Sequence, residues 1–255
     1  MTIREAIKAQ RKSLKNRSLK ERISYFWEYY ALRTFAGLIA LIVLVAFIVT
    51  MVTKKEYAFT GMFFGGAVQE SSEEYLSAFA KSAGIDEKKY QLSVQAGPDV
   101  RMDQMISPEI YQHMEAFTAM VAAKSVDCFT GNPELFLYYA YMEYAVDLRT
   151  VLSQAELETL APYLYYVDQH LIKEQEASDG GYADAYIQCP DPTKPEIMKD
   201  PVPVAVSLEV ASEDFHDAYQ FIGTNLIGIC ASSEHSKNAQ AFLRYALFGE
   251  NPGME

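Results

Sequence analysis

The sequence predicts an α/β fold, a mostly parallel sheet flanked by helices, preceded by a single transmembrane helix. Three observations predict it: an uncharged run of 20 residues near the N-terminus, a reversal of net charge across that run, and an alternation of strand-like and helix-like segments beyond it. They divide the chain into a basic segment at residues 1–33, a membrane span at 34–53 and an outer α/β domain at 54–255.

The span reads TFAGLIALIVLVAFIVTMVT. At a helical rise of about 1.5 Å per residue, 20 residues reach roughly 30 Å, the thickness of a bilayer's hydrocarbon core. Residues 1–33 hold nine Lys and Arg against three Asp and Glu, a charge of +6, while the rest of the chain holds 13 against 31, a charge of -18. The positive-inside rule therefore keeps the N-terminus in the cytoplasm and sends the outer domain across the cell membrane, with Lys54 and Lys55 too few to reverse it. Tyr25, Phe26, Trp27, Tyr29 and Tyr30 fall just before the span, where amphipathic rings favour the headgroup layer. A cleaved signal would have an apolar core of about 7–15 residues and a small-x-small site. This run is longer and ends TMVTKK. A lipid anchor is disfavoured because the first cysteine is Cys128.

The elements follow in order. Thr2 to Glu5 and Ser18 to Glu21 carry capping-box spacing in the basic head. Residues 57–64 (YAFTGMFF) read as a strand, then Gly65-Gly66 as a turn, then a helix opened by Ser71 and Glu74 and stopped by Gly84. A second strand is expected at 90–95, a helix at 108–124 behind the Ser107-Pro108 pair, and a third strand at 126–130. Asn132-Pro133 starts a helix through Glu143 with Phe136, Tyr139 and Ala140 as its apolar stripe, and Ser153 with Glu156 starts another. From about residue 174 to 203 the chain turns polar, with Gly180-Gly181 and five prolines, which marks a surface excursion. Strands return at 202–208 and 226–231, and residues 236–248 close the domain with an amphipathic helix ended by Gly249.

On residues 126–140 (VDCFTGNPELFLYYA), 146–152 (VDLRTVL), 203–207 (PVAVS), 227–229 (IGI) and 238–247 (NAQAFLRYAL), the outer domain resembles bacterial extracellular solute-binding proteins of the periplasmic-binding class. The head, with YFWEYY leading into the span, is similar to small membrane proteins of Gram-positive bacteria. The first resemblance implies a solute-binding lobe. It covers about half of the outer domain, and two departures stand out. Members of that class are usually anchored through an N-terminal lipidated cysteine, and they hold ligand between two full lobes. Here only about 50 residues separate Leu152 from Val202, too few for a second lobe, so the resemblance implies one lobe with a shallow or missing cleft and transfers no ligand residue.

Chemistry is sparse. His113, His170, His216 and His235 lack metal-ligand spacing, and no C-x-x-C pair, P-loop, G-x-S-x-G elbow or Rossmann fingerprint occurs. No cofactor, metal or catalytic residue is therefore expected, and the chain reads as non-enzymatic. Gly65-Gly66 reads as a tight turn ahead of an anion cradle, because Glu73 and Glu74 already occupy the following helix start. Asp179, Asp184, Asp191 and Asp200 read as a solvated loop ahead of a Ca²⁺ site. Cys128, Cys189 and Cys230 sit among apolar neighbours and read as small buried hydrophobes, with a pairing of Cys189 to Cys230 left open. Tyrosine is the abundant functional type, 18 in the chain, and the candidate ligand-binding residues are Tyr138, Tyr141, Tyr165 and Tyr166. Exposed rings stack on sugars or fill peptide pockets, and a packing layer between helix and sheet is the competing reading. The charge of -18 excludes nucleic acid as a partner and favours cationic ones. The expected partners are the lipid bilayer and a small solute or a protein. The expected function is a membrane-tethered binding or interaction domain, with a structural or regulatory subunit of a membrane complex as the alternative.

Overall fold

The computed structural model describes residues 20, 24, 27, 31–53, 55–101, 107–177 and 189–249. The capping boxes at Thr2 and Ser18, the rings of Tyr25, Phe26, Tyr29 and Tyr30, Lys54, Asp179, Asp184 and Gly180-Gly181 lie outside the described residues. The chain divides into two units, Met1–Lys54 and Lys55–Glu255.

In the first unit, helix α1 (Ala31–Thr53) contains the whole uncharged run. Its stretch Leu32–Met51 is long and apolar enough to cross a membrane by length and composition, and none of it is buried. Trp27, also helical, packs its ring 5.8 Å from that of Phe35.

The second unit is built on strand β1 (Glu56–Phe64), buried from Ala58 onward. Its side chains alternate: Phe59 and Phe63 enter one core, Met62 and Phe64 the other. A strand covered on both faces needs such an unbroken apolar run. A turn at Gly65, where φ is +74°, leads through β2 (Gly66–Val68) to helix α2 (Ser72–Ser82), which ends just before Gly84 at φ +69°. Strand β3 (Tyr90–Gly97) lies parallel to β1 on one side. Helix α3 (Pro108–Ala122) then carries the chain to β4 (Cys128–Gly131), parallel to β1 on the other side. Helices α4 (Pro133–Tyr141) and α5 (Gln154–Leu160), strand β5 (Leu164–Asp168) and helix α6 (Gln169–Ala177) follow. Strand β6 (Pro201–Ser207), helix α7 (Glu213–Ala218), strands β7 (Tyr219–Phe221) and β8 (Leu226–Ile229) and helix α8 (Ser236–Phe248) complete the unit.

The main sheet has the order β3-β1-β4-β8-β6-β5. Four of its six strands, β3, β1, β4 and β6, run one way, and β8 and β5 run against them. The sheet is mostly parallel in strand direction, with an antiparallel half that the sequence reading did not resolve. One face is covered by α2, α7 and α8 through Tyr75, Phe79, Phe215 and Phe242; the other by α3, α4 and α6 through Phe117, Phe136, Tyr139 and Ile172.

Several expectations need correction. Strand β5 was not anticipated, and helix α6 occupies the start of the expected polar excursion. The small β2-β7 sheet and the six-residue α7 were not anticipated. Ser71 and Ser107 stand at the N-cap positions of α2 and α3 but bond no helix amide, and Ser71 Oγ donates instead to the Asp217 carbonyl at 2.8 Å. Asn132 and Ser153 cap as expected, the latter with Glu156 in a complete capping box. Pro203 is accommodated because β6 bulges opposite Tyr165 and Tyr166, which releases the ladder from needing an N–H there. All three cysteines are free, Cys128 and Cys230 in the cores and Cys189 half-buried.

Candidate functional site

The four tyrosines singled out by sequence do not converge. Tyr141 is 1% exposed, and its hydroxyl accepts the Asp168 N–H at 3.2 Å, tying α4 to the end of β5. Burial pushes its phenol up to about 12. Tyr165 and Tyr166 flank the bulge in the edge strand and pack on opposite faces of the sheet. Burial raises the pKa of both, with Glu209 and Asp191 adding to it at Tyr165. Tyr138 is half-buried and lines a cavity.

That cavity is a groove of about 620 Å³ between α3 and α4. Its walls include Tyr111, Met114, Ala119, Tyr138, Tyr139 and Met142, with Glu115 and Thr118 as further polar members. The volume falls within the roughly 300–1,000 Å³ typical of small-molecule sites, and so does the composition, apolar and aromatic with a few polar groups. The local sequence explains the walls. Proline at the first position of each helix and the Asn132 side chain on the Leu135 amide, at 3.0 Å, fix where α3 and α4 begin. The i, i+3 and i+4 spacing then puts Tyr111, Met114, Glu115 and Thr118 of α3 on one side and Tyr138, Tyr139 and Met142 on the other.

Tyr139 gives the groove its polar character. It is 1% exposed, its ring stacks on Tyr144 with centroids 5.5 Å apart, and its hydroxyl has no hydrogen-bond partner. The Thr118 hydroxyl lies beside it without completing a bond. Burial, then the neighbouring Tyr138 hydroxyl, holds the Tyr139 phenol protonated well above its ordinary range. A buried hydroxyl left unpaired costs about 1–3 kcal/mol, so an unpaired one in the wall of a cavity is a point where a ligand gains. The sequence placed Tyr139 in the apolar stripe of α4, and only the three-dimensional packing reveals that its oxygen is unsatisfied.

A second candidate region lies at the carboxyl ends of β1, β3 and β4, where open α/β sheets bind ligands at the strand-order switch. There the polar groups are turned on one another. Gly65, at φ +74°, makes the turn, and its N–H donates to the Gly97 carbonyl at 3.1 Å. Asn132 Nδ2 donates to Asp99 Oδ1 at 2.8 Å and to the Val100 carbonyl at 2.7 Å. Asn225 Nδ2 donates to the Ile222 carbonyl at 3.0 Å, leaving its Oδ1 the unpartnered atom, at a residue 2% exposed.

Among the described residues no group of three His, Cys, Asp or Glu side chains is placed to hold a metal ion. Asp191 engages Lys194 at 2.9 Å and Asp200 engages Lys173 at 3.0 Å, so these two acids serve separate ion pairs. His170 lies 2.9 Å from Glu174, and His235 lies 3.3 Å from the buried Asp127.

No protein-family model and no curated protein matches the chain. Among solved structures it is similar to iron-bound HitA from Pseudomonas aeruginosa, with 9% identity over 73% of this chain and 80% of that one and a TM-score of 0.35. The architecture described above stands on its own strand order and helix placement.

Proposed function

We propose that the chain is a membrane-tethered, extracytoplasmic, non-enzymatic binding domain, built like a single reduced solute-binding lobe, that takes a small apolar or aromatic solute in the groove between α3 and α4. The observation that carries this reading is the unpartnered Tyr139 hydroxyl in the wall of a groove of about 620 Å³ lined mostly by rings, methionines and alanines, with Glu115 and Thr118. Methionine side chains adapt to ligand shape, tyrosine rings supply contact area at low entropic cost, and one buried hydroxyl selects for a solute carrying a matching donor or acceptor. Helix α1 supplies the tether by its length and composition, and the basic segment before it supports an outward-facing C-terminal domain. Binding is proposed ahead of turnover because the sequence carries no G-x-S-x-G elbow, P-loop or Rossmann fingerprint.

The test is a thermal-stability screen of the full chain in nonionic detergent against small aromatic and apolar solutes, with sugars and amino acids alongside. A solute present at about 100 times its Kd stabilises the fold by about 2.7 kcal/mol. A shift that shrinks in Tyr139→Phe supports the groove. A well-folded chain that shifts with no solute, yet retains a protein partner through detergent purification, moves the function to a subunit of a membrane complex.

A further inference from the structure

The opposite face of the sheet carries a second cavity, of about 290 Å³, lined by Ser71, Glu74, Tyr75, Asp214, Asp217 and Tyr245 from α2, α7, α8 and the turn before α2. Three of those residues are carboxylates on exposed positions, and no ion pair to any described Lys or Arg reaches them. Its floor is Tyr75, 5% exposed, whose hydroxyl has no hydrogen-bond partner. The Ser212 hydroxyl, which caps α7 by accepting the Phe215 amide at 3.3 Å, lies beside the Tyr75 oxygen without completing a bond to it. The Tyr75 and Tyr245 rings meet with centroids 5.1 Å apart, tilted by 59°, and present an aromatic wall beside the acids.

The geometry points to a binding site for a small organic cation bearing a primary ammonium group. Carboxylates supply the charge, tyrosine faces supply the cation–π surface, and the Tyr75 oxygen supplies a buried acceptor for an ammonium N–H. Burial, then Tyr245, Tyr219 and Asp214, hold the Tyr75 phenol protonated, so that oxygen stays neutral and free to accept. Burial and Asp214 likewise raise the pKa of Tyr245. A bare metal ion fits less well, since these acids do not gather into a metal-holding group among the described residues. This site is separate from the groove between α3 and α4, and it stands or falls independently of the proposed function.

The experiment is calorimetric titration of the full chain in nonionic detergent with 1,4-diaminobutane and with tetramethylammonium, which carries the charge but no N–H. Wild type binds the diamine, more weakly as salt is raised, and binds tetramethylammonium at least about tenfold more weakly. Tyr75→Phe deletes only an unpartnered oxygen, so it folds as wild type does and weakens diamine binding about tenfold. Glu74→Gln and Asp217→Asn, both at exposed positions, weaken it and reduce its salt dependence. Absence of diamine binding to wild type, unchanged binding in Tyr75→Phe, or equal binding of the two cations overturns the assignment.

Discussion

The two faces of the central sheet are built from the same material and end in opposite surfaces. Each core is aromatic: Phe242 stacks on Phe59 at 4.2 Å on one side, and Phe136 stacks on Phe129 at 4.4 Å on the other. Buried tyrosine hydroxyls lack a partner on both faces, Tyr75 and Tyr219 on the first and Tyr139 on the second, and of these Tyr75 and Tyr139 line the two cavities. What differs is the rim. Glu74, Asp214 and Asp217 surround the first cavity, while Tyr111, Met114, Tyr138 and Met142 surround the second. An aromatic floor alone therefore does not select a ligand. On the proposed reading the rim residues set the preference, charged on one face and mostly apolar on the other.

If the two cores are equivalent as packing, truncating either stacked ring costs about the same. Phe242→Ala and Phe136→Ala, both fully buried, are each expected to lose about 3–5 kcal/mol in denaturant unfolding. A loss confined to one face would break the equivalence.

A smaller effect concerns Asp168, 5% exposed, whose carboxylate accepts the amides of His170, Lys199 and Asp200 at 3.0–3.1 Å. Burial pushes its pKa up, and those three amides more than offset it, so the folded value lies below the ordinary one. A depressed folded pKa means the contribution is present above the ordinary Asp value near pH 4 and is lost as pH falls from there toward the folded value. Asp168→Asn should cost about 1–3 kcal/mol at neutral pH and flatten the acid limb of a stability–pH profile. An unchanged acid limb would remove Asp168 as the anchor of the second face's edge.

The smallest and sharpest contrast is among the tyrosines themselves. Tyr141→Phe removes a hydroxyl that the Asp168 amide uses and should cost about 1 kcal/mol, whereas Tyr75→Phe and Tyr139→Phe remove unpaired oxygens and should be neutral or slightly stabilising. Chemical denaturation of the three variants separates hydroxyls that hold the fold from those free for a ligand. A cost as large for Tyr139→Phe as for Tyr141→Phe would place Tyr139 among the former.

How much of this was legible in the sequence follows from the range of the interactions involved. Helix α8 was readable because its periodicity and Gly249, at φ +68°, are local. Strand β1 was readable because burial on both faces demands an unbroken apolar run. Strand β5 was not, since Tyr165 and Tyr166 resemble ligand contacts until Leu164 and Val167 are seen buried beside them. Helix α7 went unread although Ser212 supplies its cap, because Glu213, Asp214 and Asp217 look like a solvated acidic run. Neither cavity was legible, for each joins helices distant in sequence, and the signal in both is a hydrogen bond that is missing.

The central claim, that the groove between α3 and α4 binds a solute, is tested most directly by the melting temperature of wild type and Tyr139→Phe across one panel of aromatic and apolar solutes. A solute that raises the wild-type melting temperature and raises that of Tyr139→Phe markedly less is the predicted result. Equal shifts in the two proteins, or none in a well-folded wild type, would contradict it.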